Sequence, residues 1–293
     1  MKKNRLKIVA VVLSLVMAFG LTGCLGMGKN ENTDKKALLV VSFGSSYIEN
    51  RELAIDATEE VIKDAFPDYD FFNAYTSQTI IDIYQDRDGI DINNVEEAME
   101  EIYKGGYGEV LVVPTQIING DENQDMEEEV KDWEDKFDTI TISTALLTSY
   151  EDYLAVVDAI KAEVPEATDD NAVVLMGHGT SNSADSAYGA LDYIFKDEGN
   201  PNIYVGTVEG FPTFETVLKY LKEKDYTSVT LVPAMLVAGD HAHNDMAGDE
   251  EDSWKNMLKA EGYDVNVVMH GLGELPSIQN LFVEHANEAL EEE

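Results

Sequence analysis

Three side chains that can bind a metal ion follow predicted strands in the second half of the chain. His178 lies in MGHGT (176–180), Glu209 in GTVEG (206–210) and His241 in AGDHAHND (238–245). Two imidazoles and one carboxylate suit a divalent first-row ion such as Co²⁺, Fe²⁺, Ni²⁺ or Zn²⁺, with coordination positions left open for a substrate. A neutral imidazole, whose unperturbed pKa is about 6.5, can also accept a proton. The three residues therefore indicate a metal site capable of proton transfer.

Each of these residues has a simpler interpretation when taken alone. A single His after a strand is often only a hydrogen-bonded loop residue, and acidic loop residues are expected in a chain of net charge −38. His243 is interpreted as an exposed neighbour, His270 could reach the same edge, and His285 in the last helix is predicted to lie at the surface. The segment DMAGDEEDSWKNML is predicted to begin a helix with its acids in the first turn.

The elements that would position these residues alternate between strands and helices from residue 36 onward. This alternation predicts an α/β protein with parallel sheets and helices on both faces. The first predicted helix, NRELAIDATEEVIKDAF, is expected to bury Leu53, Ala57 and Val61 on one face. Strands are predicted at ALLVVSF (37–43), EVLVVP (109–114), TITIS (139–143), a run beginning at 172, NIYVGTVEG (202–210) and SVTLVPAML (228–236).

The two halves of the chain also resemble each other. VVSFGSS aligns with VLMGHGTS, which places Phe43 over His178, and VLVVPTQIINGDE aligns with VTLVPAMLVAGDH, which places Glu122 over His241. We therefore predict two similar lobes, 37–168 and 169–293, each a four-stranded parallel sheet flanked by helices. Loops at the carboxyl ends of the strands would line a cleft between the lobes, and the second lobe would supply the metal site.

The N-terminus predicts an exported protein. A basic start, MKKNR, precedes an apolar run and then LTGC, which ends at the single cysteine, Cys24. Residues 1–24 resemble a bacterial lipoprotein signal, so Cys24 would be lipidated and would hold the protein outside the cytoplasm on a bacterial membrane. An uncleaved membrane anchor is the alternative. Residues 25–36 are interpreted as a linker. The 58 acidic against 20 basic residues exclude nucleic acid as a partner.

Six motifs resemble the anaerobic cobaltochelatase family known as CbiK, whose members insert Co²⁺ into sirohydrochlorin during cobalamin synthesis. They are SFGSS (42–46), YTSQ (75–78), INGDE (118–122), MGHGT, GTVEG and LVAGDHAHNDMAGDEEDSW (236–254), within a similarity that covers about residues 36 to 284. The resemblance implies a chelatase fold of two similar α/β domains that works as an oligomer without an energy source.

The resemblance also implies roles for individual residues. The family's metal-binding His, acidic ligand and second His fall on His178, Glu209 and His241, and a further acid falls on Glu122. Members of the family often have His where this chain has Gln116.

On this basis we expect a sirohydrochlorin cobaltochelatase whose metal substrate is Co²⁺, with Fe²⁺ and Ni²⁺ as further candidates, and which uses no nucleotide. His178 or His241 would accept pyrrole protons, and Glu122 would be a second acceptor. The tetrapyrrole is rich in carboxylates, so it needs positive or hydrogen-bonding partners in this acidic chain. The candidates are Ser45, Ser46, Arg51, Thr180 and Ser181.

The main alternative is an exported, lipid-anchored protein that captures a metal or a tetrapyrrole such as haem for uptake, without turnover. The export signal favours it, because tetrapyrrole synthesis is expected in the cytoplasm. However, loss of catalysis would free the ligands to change, and all three are present. A hydrolase is disfavoured because the chain has no nucleophile elbow with an ordered Ser, acid and His.

Overall fold

The computed structural model describes residues 28–30, 33–164 and 168–292. The predicted signal, including Cys24, lies outside these residues. The predicted linker is described only at 28–30 and 33–36, and there it runs along the first lobe: the Asn30 side chain donates to the Tyr103 carbonyl at 2.7 Å, and the Thr33 hydroxyl donates to the Gly106 carbonyl at 2.9 Å. Within the described ranges, no helix is both long and apolar enough to cross a membrane.

Two four-stranded parallel sheets form the framework, as predicted. Their strand orders are β2-β1-β3-β4 and β6-β5-β7-β8, so the second sheet repeats the topology of the first. The strands are β1 (Lys36–Ser42), β2 (Asp70–Tyr75), β3 (Glu109–Pro114), β4 (Thr139–Ile142), β5 (Asn171–Gly177), β6 (Ile203–Thr207), β7 (Ser228–Pro233) and β8 (Asp264–Val267).

Helices connect consecutive strands and cover both faces of each sheet. They are α1 (Ile48–Arg51), α2 (Ala57–Ala65), α3 (Gln78–Asp88), α4 (Val95–Gly105), α5 (Asp121–Lys131), α6 (Tyr150–Glu163), α7 (Ser186–Asp197), α8 (Phe214–Leu221), α9 (Trp254–Ala260) and α10 (Pro276–Glu291). A π-helical turn, Glu52–Asp56, joins α1 to α2, and a second π-helical turn, Ala242–Met246, follows β7.

Continuous apolar runs form the central strands because each sheet is buried on both faces. In β1, Leu38 and Val40 enter a core shared by the two lobes, whereas Leu39 faces an outer core under α4 and α5. In β5, Val173 and Leu175 enter the same shared core. Each fully buried Val or Leu contributes roughly 1.5–3 kcal/mol relative to an exposed side chain. The shared core therefore fixes the two sheets relative to each other.

The last helix crosses between the lobes. α10 follows the second sheet in sequence but packs against α2, α6, β3 and β4 of the first lobe. Its buried side chains include Ile278, Leu281 and Phe282, all in the shared core. The second sheet begins with β5 at Asn171, and the first lobe is completed by α10 from the end of the chain.

The predicted apolar face of the first helix is wrong. Leu53 is 56% exposed, and Ala57 and Val61 are only half-buried, whereas Ile55 and Ile62 are buried. Ala54, Thr58 and Ile62 are buried with the same four-residue spacing, so the buried face lies one position along the chain from the predicted one.

Candidate functional site

A cleft between the lobes opens where both strand orders change direction. In each sheet the first strand (β1 or β5) pairs with the second strand on one side and with the third strand (β3 or β7) on the other. The connections after the first and third strands therefore run in opposite directions, which creates a crevice at the carboxyl ends of these strands. The loops after these four strands line a cavity of about 380 Å³. The residues predicted from the three strand ends, His178, Glu209 and His241, all line it.

His178 follows β5 and is held by its own loop. Its Nδ1 lies 2.9 Å from the Gly179 carbonyl oxygen, which can only accept, so Nδ1 carries the proton in the neutral ring. The Nε2 lone pair is then available to a metal or a proton. Gly179 has φ +94°, and a Cβ there would lie 2.7 Å from the Gly210 nitrogen, so the loop needs glycine at this position.

His241 lies beside His178. It is the N-cap residue of the π-helical turn Ala242–Met246. The two ring centroids are 4.8 Å apart and the rings are nearly perpendicular. Nδ1 of His241 lies 2.7 Å from an oxygen of Asp245, a carboxylate that orients the ring in the way that carboxylates orient metal-binding imidazoles. The structure therefore brings the two predicted histidines together.

Glu209 reaches the same cleft from a different strand, since it follows β6, and its side chain is exposed. Within the described part of the chain, no group of three or more His, Cys, Asp or Glu side chains is arranged to hold a metal ion. The pairing of the histidines is thus a feature of the structure, whereas Glu209 as the third ligand stays a prediction.

The first lobe forms the opposite wall of the cleft, and its side chains differ from the histidines of the second lobe. Phe43, the repeat partner of His178, is 43% exposed, and its ring centroid lies 6.4 Å from that of His178. The next residue, Gly44, has φ +96°, close to the +94° of Gly179, so the two loops each have a left-handed glycine at the equivalent position. Glu122, in the first turn of α5, is exposed and lines the same cavity.

An acid that the sequence analysis assigned no role, Asp121, joins the two lobes. Its carboxylate accepts hydrogen bonds from the Thr180 hydroxyl at 3.0 Å, the Ser181 hydroxyl at 2.6 Å, the Ser181 nitrogen and the Asn182 amide. These bonds, first that of the Ser181 hydroxyl, lower the pKa of Asp121. The alignment of VLVVPTQIINGDE with VTLVPAMLVAGDH also places Asp121 over Asp240, which is a sequence signal for it.

The predicted substrate-binding residues separate into three groups. Ser45 and Ser46 line the cavity. Thr180 and Ser181 also line it, but Asp121 already engages their hydroxyls. Arg51 does not line the cavity: it pairs with Asp56 at 3.0 Å, and its guanidinium lies 5.4 Å from the Tyr84 ring centre.

The remaining three histidines all lie elsewhere than the sequence suggested. His285 is buried, not at the surface, and its Nε2 lies 2.9 Å from an oxygen of Asp152 because α10 packs on α6. His243 is not exposed: it stacks on Tyr47 of the first lobe at 4.2 Å between ring centres. His270 is exposed, pairs with Glu274 and does not line the cavity.

The acids of GDEEDSW also lie elsewhere than predicted. The helix begins at Trp254 with Ser253 as its N-cap, so residues 249–252 precede it and its first turn contains no acid.

The cleft is acidic. Asp121, Glu122, Glu209 and Asp240 line it, and none of the described residues that line it is Lys or Arg. Such a cleft attracts divalent cations and repels anions. An anionic ligand must therefore be held here by neutral hydrogen-bond donors.

Comparison with known proteins places these features in a family. The family model described as cobalt chelatase (CbiK) matches residues 36–291. The chain is 41% identical over 256 residues to a sirohydrochlorin cobaltochelatase of Salmonella typhimurium, covering 87% of this chain and 97% of that protein. It is 30% identical over 259 residues to the sirohydrochlorin cobaltochelatase CbiKC of Nitratidesulfovibrio vulgaris, covering 87% and 91%.

A solved structure shares the fold. SirB from Bacillus subtilis, determined with Fe³⁺, matches with a TM-score of 0.61 and 18% identity, covering 87% of this chain and 95% of that one. The two-lobed architecture predicted from the internal repeat is confirmed by this likeness and by the sheets themselves.

Proposed function

The chain belongs to the cobalt chelatase (CbiK) family, and from this premise we propose that it is a sirohydrochlorin cobaltochelatase that inserts Co²⁺ into the tetrapyrrole between its two lobes. One observation carries the assignment to this cleft. His178 and His241 lie side by side on one wall, with ring centres 4.8 Å apart, and Glu122 lies in the opposite wall.

The reaction requires the cleft to bind the ion, remove its water and take two protons from the pyrrole nitrogens. The Nε2 atoms of His178 and His241 bind the incoming Co²⁺, and Glu209 completes the ligand set from the next loop. When the ring nitrogens replace these ligands, one imidazole accepts a pyrrole proton and Glu122 accepts the other from the opposite face. The exchange replaces two pyrrole N–H bonds with bonds from nitrogen to cobalt, and the two protons leave on the acceptors; the proposed reaction uses no nucleotide.

The acidic cleft supports the choice of a cation substrate. Its four carboxylates raise the local concentration of divalent ions. Imidazole and carboxylate ligands do not by themselves distinguish Co²⁺ from Fe²⁺ or Ni²⁺, so the proposal of Co²⁺ rests on the family.

The direct test mixes the full chain, purified in mild detergent, with sirohydrochlorin and Co²⁺ under anaerobic conditions. We expect the absorption spectrum to change to that of the cobalt complex faster than in a protein-free mixture. A protein that binds both substrates yet leaves the insertion rate at the uncatalysed value would contradict the proposal and would favour capture without turnover.

The sequence supports a further proposal about location, in which Cys24 carries a lipid anchor that holds the protein outside the cytoplasm. We expect wild-type protein in the membrane fraction of a bacterial host, and Cys24→Ser protein retained with an unprocessed signal. Equal processing and equal fractionation of the two proteins would contradict the anchor. The oligomer implied by the resemblance is likewise a proposal, and light scattering of the purified chain measures it.

A further inference from the structure

The π-helical turn that follows His241 is attached to the first lobe by a contact between two rings. His243, in this turn, stacks on Tyr47 with 4.2 Å between ring centres and 7° between ring planes. Its Nε2 lies 3.2 Å from the side-chain oxygen of Asn50, which can only accept, so Nε2 donates. Tyr47 is the N-cap residue of α1, and Asn50 lies within α1. One imidazole of the second lobe therefore contacts two residues of the first.

The other contacts of the turn lie within the second lobe. The Asp245 carboxylate lies 2.7 Å from Nδ1 of His241, and the Asn244 amide donates to Asp240 at 2.8 Å. The apolar residues of the turn are buried in a core that belongs to the second sheet alone. Among the described ring contacts and side-chain hydrogen bonds of the turn, those of His243 are the ones that reach the first lobe.

The two stacked rings lie outside the cleft. Tyr47 and His243 are half-buried, and neither is among the described residues that line the cavity. Replacing a tyrosine with leucine also leaves the net charge unchanged near neutral pH. A change at Tyr47 can therefore affect the metal site through the structure that this residue holds in place, but neither by touching the ion nor by altering the charge of the cleft.

We propose that Tyr47 is a positioning residue for the metal site: its stack on His243 holds the π-helical turn, and with it His241, in place across the lobes. This inference rests on the proposed function for the role of His178 and His241 as metal ligands. Two imidazoles bind one ion only while both rings are correctly placed, so a turn that moves lowers the fraction of protein that is ready to bind and raises the apparent Kd. The first lobe thus contributes to the Co²⁺ affinity of histidines that belong to the second.

The test measures the Kd for Co²⁺ alone, by isothermal titration calorimetry on the full chain in mild detergent without tetrapyrrole. The site of interest is the one that His178→Ala removes. We expect Tyr47→Leu to raise its Kd about 2- to 10-fold, which corresponds to the roughly 0.5–1.5 kcal/mol of an aromatic pair. Tyr47→Phe, which keeps the stack, should bind Co²⁺ as wild type does. Tyr150→Leu, at a 52% exposed position in the first turn of α6, is the matched control and should do the same.

A double-mutant cycle separates the stack from other effects of Tyr47. Once His243→Leu has removed the stack, the addition of Tyr47→Leu should raise the Kd no further. Additive increases in the double variant would overturn the proposal, as would a wild-type Kd in Tyr47→Leu or an equal rise in Tyr47→Phe. A wild type that binds Co²⁺ without inserting it would contradict the proposed function and leave the Kd comparison decisive. A wild type with no Co²⁺ site sensitive to His178→Ala would overturn both.

Discussion

Replacing His178 with alanine is expected to lower the rate of Co²⁺ insertion by about 100- to 10,000-fold, the range found when a general acid or base is removed. His178 presents its Nε2 to the cleft because Nδ1 is held by the Gly179 carbonyl at 2.9 Å. In the proposed mechanism, the alanine variant loses a metal ligand and a proton acceptor together. His241→Ala should act in the same direction, since the two rings are adjacent. The measurement is the initial rate of spectral change at saturating sirohydrochlorin.

His270→Ala is the control for this experiment. It removes an exposed imidazole of the same lobe that pairs with Glu274 and does not line the cavity, so its rate should equal that of wild type. Retention of the full rate and full Co²⁺ affinity by both His178→Ala and His241→Ala would show that the site lies elsewhere.

The second large effect concerns stability. Asp152→Ala is expected to lower the free energy of unfolding by about 1–3 kcal/mol, because it leaves the buried His285 ring nitrogen and the donors at the start of α6 without their acceptor. Asp152 is buried, lies 2.9 Å from His285, and accepts from the Thr148 and Ser149 nitrogens at the start of α6. Urea unfolding near neutral pH measures the loss.

The contact between Asp152 and His285 also predicts that the free energy of unfolding depends on pH. Burial alone would raise the pKa of Asp152, but the hydrogen bonds from His285 and Ser149 outweigh it, so the folded-state pKa is lowered. A lowered carboxyl pKa contributes stability above the unfolded value of about 3.9, and this contribution is lost as the pH falls through the folded pKa. The difference between wild type and Asp152→Ala should therefore shrink in acid.

Asp158→Ala provides the comparison within α6. Its carboxylate is 81% exposed, so the change should alter the free energy of unfolding by less than about 0.5 kcal/mol. If Asp152→Ala were no less stable than Asp158→Ala, the buried pair would not hold α10 on α6.

The sequence predicted the sheets better than the helix contacts, for a physical reason. The buried runs of β1 and β3 are continuous and apolar, and β3 was predicted at its observed bounds, Glu109–Pro114. By contrast, the burial of His285 depends on α10 crossing to α6, a contact between residues that are 133 positions apart. A helical pattern gives the spacing of the buried residues but not the element that covers them, and in the first helix the buried face lies one position along from the predicted one.

In the cleft too, the sequence predicted some features and missed those that depend on contacts between distant residues. The strand ends predicted that His178 and His241 would converge, because parallel strands present their carboxyl ends at one edge. The engagement of Thr180 and Ser181 by Asp121 depends on the exact approach of the two lobes. No local pattern encodes that approach.

The internal repeat has a consequence for how such a cleft can change. Two identical subunits related by a twofold axis must present the same side chain at every equivalent position, so a histidine on one wall would always face a histidine. In one covalent chain the equivalent positions are free to diverge. Phe43 with Gly44 at φ +96° and His178 with Gly179 at φ +94° occupy matching loops, yet one is apolar and the other can bind a metal. Within one chain, a substitution in one wall of the cleft therefore leaves the equivalent residue of the other wall unchanged.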